Sequence, residues 1–369
     1  MQSSRRNWLK NIGFGMAGIG LSSVQAVAST GPSFINNRLN TSNLSINLNS
    51  NENPYGSSSL AKAAMLEYIL VSNRYNWELT LELMEALAQK NQVTADNILM
   101  GAGSTEILDL VAKFIAAKKG SFIIPNPSYH IWAETARKLG MQKIMVPLTV
   151  DKQIDLPAML SAMKPDTQLV YICNPNNPSG TICERKALVD FISEASKKAI
   201  VLVDEAYLDF TRQVSVSNLV IDHPNVIVTK TFSKMYGLAG ARIGYAIAHA
   251  SLVNKISVLR SWSNSTVSVA STAAALASVK DSAFVAETYA LNEKAKHYTI
   301  AQLEQLKLNC ITSHANFIYF SLKNYKDNYF QRLMDHNIVG TYVFEEQDIW
   351  TRISIGTMQE MQHFISALQ

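Results

Sequence analysis

Cysteine is scarce in this chain, with three in 369 residues, and Cys173, Cys183 and Cys310 cannot all pair with one another. That excludes a disulfide framework and leaves the expectation of buried or partly buried free thiols. The seven histidines show no metal-ligand spacing, so no metal centre is expected. An excess of one charge is also lacking: the formal net charge is +4, and Arg5, Arg6 and Lys10 account for most of it. The remaining chain is close to neutral, which argues against nucleic acid or an anionic membrane as a partner. No internal repeat or low-complexity tract is present. The mildly apolar stretch from Ile12 to Val27 is short for a membrane span and carries Ser22, Ser23 and Gln25, so no stable span is expected. Gly13, Gly15 and Gly18 spell the spacing of a dinucleotide-binding loop, but no strand precedes them and no βαβ unit surrounds them.

What is present suits a large soluble globule. At 47% hydrophobic residues the chain can bury a sizeable core and divide into two domains. Apolar strands near Ile98, Phe122, Leu169, Val201 and Val226 alternate with helical patterns at Leu79 to Gln89, Ile107 to Ala117 and Lys186 to Lys197. This alternation predicts an α/β fold with a mostly parallel sheet sandwiched by helices. From about Ser263 the pattern changes to long helices with short strands at Phe317 to Phe320 and Thr351 to Ile355, predicting a smaller α+β domain. The Ser/Asn-rich stretch from Ser29 to Ser50 reads as a linker.

Chemistry concentrates around Lys234. Thr231-Phe232-Ser233-Lys234 is followed by Gly240, Arg242 and Gly244, so two hydroxyls and a guanidinium can converge on a phosphate while the amine reaches an aldehyde. Most lysines are solvated surface groups. Here Phe232, Met235, Tyr236, Leu238 and Ala239 make an apolar setting that depresses the amine pKa and renders it nucleophilic. Upstream, the apolar run Ile200 to Val203 ends in Asp204-Glu205-Ala206-Tyr207, placing a carboxylate at the carboxyl end of a parallel strand, where open α/β sheets bind ligands. Asp204 is suited to keep a pyridine nitrogen protonated and Tyr207 to hydrogen-bond a phenolic oxygen, although Asp after a strand is also a common helix N-cap. A second apolar strand, Leu169 to Cys173, runs into Asn174-Pro175-Asn176-Asn177-Pro178-Ser179-Gly180, a turn that brings the Asn177 amide to the same sheet edge.

In order along the chain, these segments join Asn51-Glu52-Asn53-Pro54-Tyr55-Gly56, Gly101 to Glu106, Pro127-Ser128-Tyr129, Ser313 to Phe317 and Arg352 to Thr357. Together they resemble the fold-type-I pyridoxal-phosphate aminotransferases, and within that group they are most similar to the histidinol-phosphate aminotransferase branch. The resemblance implies pyridoxal 5'-phosphate as cofactor, held as a Schiff base by Lys234. It further implies that Asp204 pairs with the pyridine nitrogen, Asn177 and Tyr207 contact the phenolic oxygen, and Tyr129 stacks on the ring. Gly103, Ser104 and Thr105 open a helix whose N–H groups suit an anion, and in the resemblance they hold the phosphate with Thr231, Ser233 and Arg242. Tyr75 matches a tyrosine that reaches the neighbouring subunit's cofactor, implying a homodimer. Arg352 matches the arginine that grips the substrate's anionic group, with Tyr55 and Asn177 as further substrate contacts. The implied reaction is ping-pong transfer of an amino group from an amino acid to a 2-oxo acid, and a lyase on the same scaffold is the alternative chemistry. With the change of pattern at Ser263, the expected ranges are a 61–262 large domain and a 263–369 small domain, which the resemblance completes with a 29–60 linker and arm.

Two departures bear on the substrate. A second arginine usual in the histidinol-phosphate branch is missing from Asn337 to Tyr342, and the Arg-Tyr-Pro-Asp motif reads Arg74-Tyr75-Asn76-Trp77. The expected donor is therefore an amino acid whose carboxylate Arg352 holds, with histidinol phosphate as the alternative. At the N-terminus, Ser4-Arg5-Arg6-Asn7-Trp8-Leu9-Lys10, the apolar stretch and Ala26-Val27-Ala28 fit a twin-arginine signal over residues 1–28. That route exports folded proteins, so a periplasmic or exported enzyme is expected, with a cytoplasmic one as the alternative.

Overall fold

A computed structural model describes residues 45–260 and 267–369. The twin-arginine-like segment, its cleavage site, most of the linker and the boundary at 262–263 lie outside the described residues. The strands, numbered in chain order, begin with β1 (Ile46–Asn47), β2 (Ile98–Gly101), β3 (Ser121–Asn126) and β4 (Gln142–Pro147). They continue with β5 (Thr167–Cys173), β6 (Ile200–Asp204), β7 (Val226–Thr231) and β8 (Gly244–Ala248), and end with β9 (Phe317–Ser321), β10 (Ile338–Val339), β11 (Val343–Glu345) and β12 (Trp350–Ser354).

Among the described residues the largest sheet has the order β2-β8-β7-β6-β5-β3-β4. Its pairings are parallel except around β8, which runs against both β2 and β7. The mostly parallel α/β sheet expected from the alternating pattern is the one observed. β4 and β8 were not legible in that pattern. β4 lies at the sheet edge, largely open to solvent, and its apolar run is only Ile144-Met145-Val146 before Pro147, too short and too close to a proline to stand out. β8 reads Gly-Tyr-Ala-Ile-Ala, with little β-branched content.

Side-chain alternation splits the continuous apolar strands between two cores. Val170, Ile172, Val201, Val203, Val226 and Val228 pack with Leu83, Leu87, Leu188 and Ile192 from the helices Trp77–Asn91 and Arg185–Ala195. Leu169, Tyr171, Leu202 and Ile227 face the other way, against Ile107, Leu108 and Val111 of the helix Ser104–Ala116 and Leu252 and Ile256 of Ala250–Ser257. A strand covered on both faces gains burial from every residue, which is why β5 to β7 read as unbroken apolar runs.

The C-terminal residues form a β11-β12-β9 antiparallel sheet, with Arg352 opposite Tyr319. Ile318, Phe320, Ile353 and Phe364 make a third core with Leu48. The helix Met358–Leu368 closes it, opened by a capping box between Thr357 and Glu360. β1 pairs in parallel with β10, so residues 46–47 join the C-terminal part. Among the described residues no helix is long and apolar enough to cross a membrane.

Candidate active site

Strand register brings the chemistry to one sheet edge. Cys173 lies opposite Asp204, Asp204 opposite Thr229, and Gly244 opposite both Thr231 and Gly101. The carboxyl ends of β2, β5, β6 and β7 and the amino end of β8 therefore meet, and a cavity of about 470 Å³ opens there. Ser104, Thr105, Tyr129, Asn177, Asp204, Tyr207, Thr231, Ser233, Lys234, Arg242 and Arg352 all line it.

One corner is built for an anion. The helix Ser104–Ala116 starts after Gly103, whose φ is +80°; a Cβ there would lie 2.4 Å from Arg242 Nη2, so only glycine lets the guanidinium close on the helix start. Gly103 thus supports the corner from behind rather than lining it. Arg242 donates to the carbonyl oxygens of Ala239 (2.9 Å) and Ala102 (3.5 Å). Both partners are neutral, so the corner keeps its positive charge, to which the N-terminal N–H groups of the helix add. Thr231 and Ser233 bring hydroxyls to the same place, and Thr231 Oγ1 accepts from Ser233 N at 3.1 Å. Tyr129 Oη sits 3.5 Å from Thr105 Oγ1, with burial raising the phenol pKa.

Lys234 stands on the loop after β7, pinned where Leu238 N donates to Phe232 O and Gly237 N to Lys234 O. Gly237 has φ +64°, and a Cβ there would lie 2.1 Å from Gly56 O. Lys234 Nζ donates to Ser50 O at 2.8 Å. Burial, reinforced by the Arg352 charge, lowers the amine to about 8, with Glu52 opposing. The depressed lysine expected from its apolar flanks is present.

Asp204 is 3% exposed. Its carboxylate accepts from Tyr171 Oη and Thr229 Oγ1, each at 3.1 Å, and from Ala206 N at 3.2 Å. Burial nevertheless pushes it up to about 6, because those donors offset only part of the desolvation. A cation in the cavity, such as a protonated pyridine nitrogen, would complete its pairing.

Tyr207 Oη accepts from Asn51 Nδ2 (3.0 Å) and Asn177 Nδ2 (3.3 Å), and burial raises its pKa. Arg352, 7% exposed, donates Nη1 to Asn177 Oδ1 and Nη2 to Asn49 O, each at 2.5 Å. Phe317 and Phe344 flank its guanidinium at 5.4 and 5.5 Å. Its Nε is buried without a partner, and no carboxylate pairs with it, among the described residues. Burial accordingly lowers its pKa.

Tyr55, expected as a substrate contact, is not at this cavity, and Tyr75, expected at a neighbouring subunit's cofactor, lies on the surface. Tyr55 is turned away where Asn53 Oδ1 accepts from Tyr55 N while Asn53 Nδ2 donates to Met235 O, and it lines a small separate recess with Thr288 and Asn292. Tyr75 is 70% exposed and stacks on Trp77 at 5.4 Å. Conversely, Asn51, Ser354, Tyr171 and Thr229 hold the site together, although only their place in a motif or strand marked them in the sequence. Cys173 and Cys183 are buried free thiols and Cys310 is partly buried.

The donor set fits pyridoxal 5'-phosphate: an anion corner, a primary amine of lowered pKa and a buried acid lacking a cation surround one cavity. Comparison with known proteins agrees. The family described as aminotransferase class I and II matches residues 45–368. A histidinol-phosphate aminotransferase of Moorella thermoacetica is 35% identical over 332 residues, covering 88% of this chain and 84% of that protein. Histidinol-phosphate aminotransferase 1 of Dechloromonas aromatica is 33% identical over 336 residues, covering 88% and 89%. The crystal structure of histidinol-phosphate aminotransferase from Sinorhizobium meliloti in complex with pyridoxal-5'-phosphate superposes with a TM-score of 0.80 at 25% identity, covering 94% of this chain and 98% of that one. The chain belongs to the class I and II aminotransferases, and its cofactor is pyridoxal 5'-phosphate.

Proposed function

We propose that this aminotransferase takes its amino group from an amino acid whose carboxylate is bound by Arg352, and passes it to a 2-oxo acid. The observation that carries this reading is the buried Arg352 guanidinium, with neutral partners, an unpaired Nε and a position on the cavity that holds Lys234. A buried cation without a counter-ion is costly, and a bidentate carboxylate offsets that cost. The names of the relatives favour a second donor, histidinol phosphate, whose phosphate Arg352 would hold instead.

Pyridoxal phosphate, when bound, supplies an aldehyde that carries the amino group and a ring that takes up electron density. Ser104, Thr105, Thr231, Ser233 and Arg242 would hold its phosphate, with Gly103 shaping their turn. Asp204 would keep a proton on the ring nitrogen, Tyr129 would cover the ring, and Asn177 and Tyr207 would hydrogen-bond its phenolic oxygen. Lys234 would hold the aldehyde through its amine. When free, Lys234 Nζ would take the donor's α-proton and deliver it on, a shuttle suited to an amine near pH 8.

Arg352→Ala is expected to raise KM for amino-acid donors on the order of 10²-fold, the scale for removing one partner of a buried charged contact. An unchanged KM for every donor would sink the assignment. Mixing cofactor-loaded protein with single donors separates the two readings: loss of the cofactor's visible band with amino acids but not histidinol phosphate supports the first, and the reverse supports the second.

The reading extends to assembly and placement. Residues 61–262 and 263–369 would be the large and small domains, with the β1–β10 pairing supporting attachment of the 29–60 arm to the latter. Tyr75 would face a second copy and reach that copy's phosphate corner, in keeping with its exposure beside exposed Ile69, Leu70 and Val71. Sedimentation is expected to show a dimer, and Tyr75→Ala to weaken cofactor retention; a fully loaded monomer would contradict this. Export through the twin-arginine route rests on the sequence, and finding only full-length protein in the cytosolic fraction would overturn it.

A further inference from the structure

Asn51 has an unusual setting. It is 1% exposed, its φ is +53°, and each of its polar groups is used. Its backbone N donates to Ser354 Oγ at 2.8 Å, and Ser354 Oγ donates to Asn51 Oδ1 at 2.9 Å. Asn316 Nδ2 donates to the Asn51 carbonyl at 3.0 Å. Asparagine is among the few residues that enter the left-handed region readily, because its short amide can bond locally.

These bonds determine which way the amide faces. Ser354 Oγ accepts from the Asn51 backbone and so turns its proton onto Oδ1, which leaves Asn51 Nδ2 directed at Tyr207 Oη, 3.0 Å away. Asn177 is oriented independently. Arg352 can only donate, so Asn177 Oδ1 faces it and Asn177 Nδ2 faces Tyr207 Oη. A phenolic hydroxyl has limited acceptor capacity and one proton. With donors occupying its acceptor side from both amides, the proton points away from both, into the cavity that Tyr207 lines.

We propose that Asn51 is a positioning residue: together with Asn177 it fixes the Tyr207 hydroxyl as a hydrogen-bond donor toward the phenolic oxygen of the cofactor. The proposal rests on the cofactor placement given under Proposed function. Burial keeps the phenol protonated, as a donor must be. The charged groups facing Tyr207 are Arg352 on β12, Asp204 on β6 and Lys234, whose Nζ lies 5.9 Å from the ring centre. A hydrogen bond donated to the phenolic oxygen draws off its negative charge. That weakens its hold on the proton of the neighbouring Lys234–cofactor linkage, so losing the bond raises the pH at which the bound cofactor changes colour.

The test is an absorbance titration of cofactor-loaded protein. Asn51→Asp tolerates the same backbone conformation but, when ionised, can only accept, so Tyr207 turns its proton onto the carboxylate. The transition is expected to rise by about one pH unit. In a Tyr207→Phe background the same substitution is expected to raise it clearly less, because only the added charge remains. Asn51→Gly suits φ +53° and removes the amide, and is expected to give part of the shift, again dependent on the Tyr207 hydroxyl. Shifts of equal size with and without that hydroxyl, or no shift in either variant, would overturn the proposal. The donor panel reads amino transfer and this titration reads hydroxyl orientation, so the two readings fail separately.

Discussion

Lys234→Ala is expected to abolish amino transfer, lowering kcat on the order of 10⁴-fold or more. Two functions are lost together, the covalent hold on the aldehyde and the proton shuttle, and acid–base catalysis alone is worth about 10² to 10⁴. A fall of less than tenfold, measured in single turnover with the best donor, would mean that another base carries the proton. The wild-type profile provides a second check. Burial and Arg352 lower this amine to about 8, so it is ammonium in the free protein below that pH and a free base above it. Donor binding in its ammonium form opposes this at high pH, and the rise near pH 8 should vanish in the variant. Linkage has a definite sign here. A lysine with a folded pKa below its unfolded one binds fewer protons when folded, so stability without cofactor rises with pH from about 8 into the usual lysine range. Lys234→Ala should flatten that rise.

Asp204→Asn is expected to lower kcat about 10²- to 10³-fold, the scale for removing a preorganised charge from a buried site. The substitution is nearly isosteric: an amide oxygen at the Oδ1 position keeps the bonds from Thr229 and Ala206, while Tyr171, which donates to Oδ2, would turn to accept from the new amide N–H, so the fold should persist. Thermal melts give a readout independent of turnover. Burial lifts this carboxyl from its ordinary value near 4 to about 6, so the folded state binds the extra proton within that window. Without cofactor, wild-type stability should therefore fall as pH rises from about 4 to 6, by on the order of 3 kcal/mol. If a bound pyridinium pairs with the ionised carboxylate, as proposed, it would reverse the trend, so the stabilisation by cofactor should grow across the same window. Asp204→Asn should remove both dependences. Melts of loaded and unloaded protein that respond alike to pH would contradict the ring-nitrogen pairing.

Local chemistry explains how much of this site was legible. Lys234 could be found because its flanks are apolar and hydroxyls and an arginine stand at close spacing, so the cause of its lowered pKa is written beside it. Asp204 was marked by the apolar run it ends, since a strand buried on both faces must place its first polar residue at the sheet edge. Arg352 was legible only through resemblance, for nothing nearby in sequence announces a buried unpaired guanidinium. Its partners Asn49, Asn177 and Phe317 are far from it along the chain.

The amino-acid sequence by itself determined the α/β alternation, the sheet strands with continuous apolar runs, the lysine and the acid, because periodicity and flanking chemistry are local properties. Only the tertiary structure decided that β8 runs against its neighbours, that Tyr55 turns away from the cavity, and that Asn51 and Ser354 orient Tyr207. Asn51 and Ser354 are 303 residues apart, and in the sequence only membership in a motif marks either one, with nothing to show that they meet. Their role arises when β12 and the chain after β1 pack together and bury their polar groups, which must then find partners in each other.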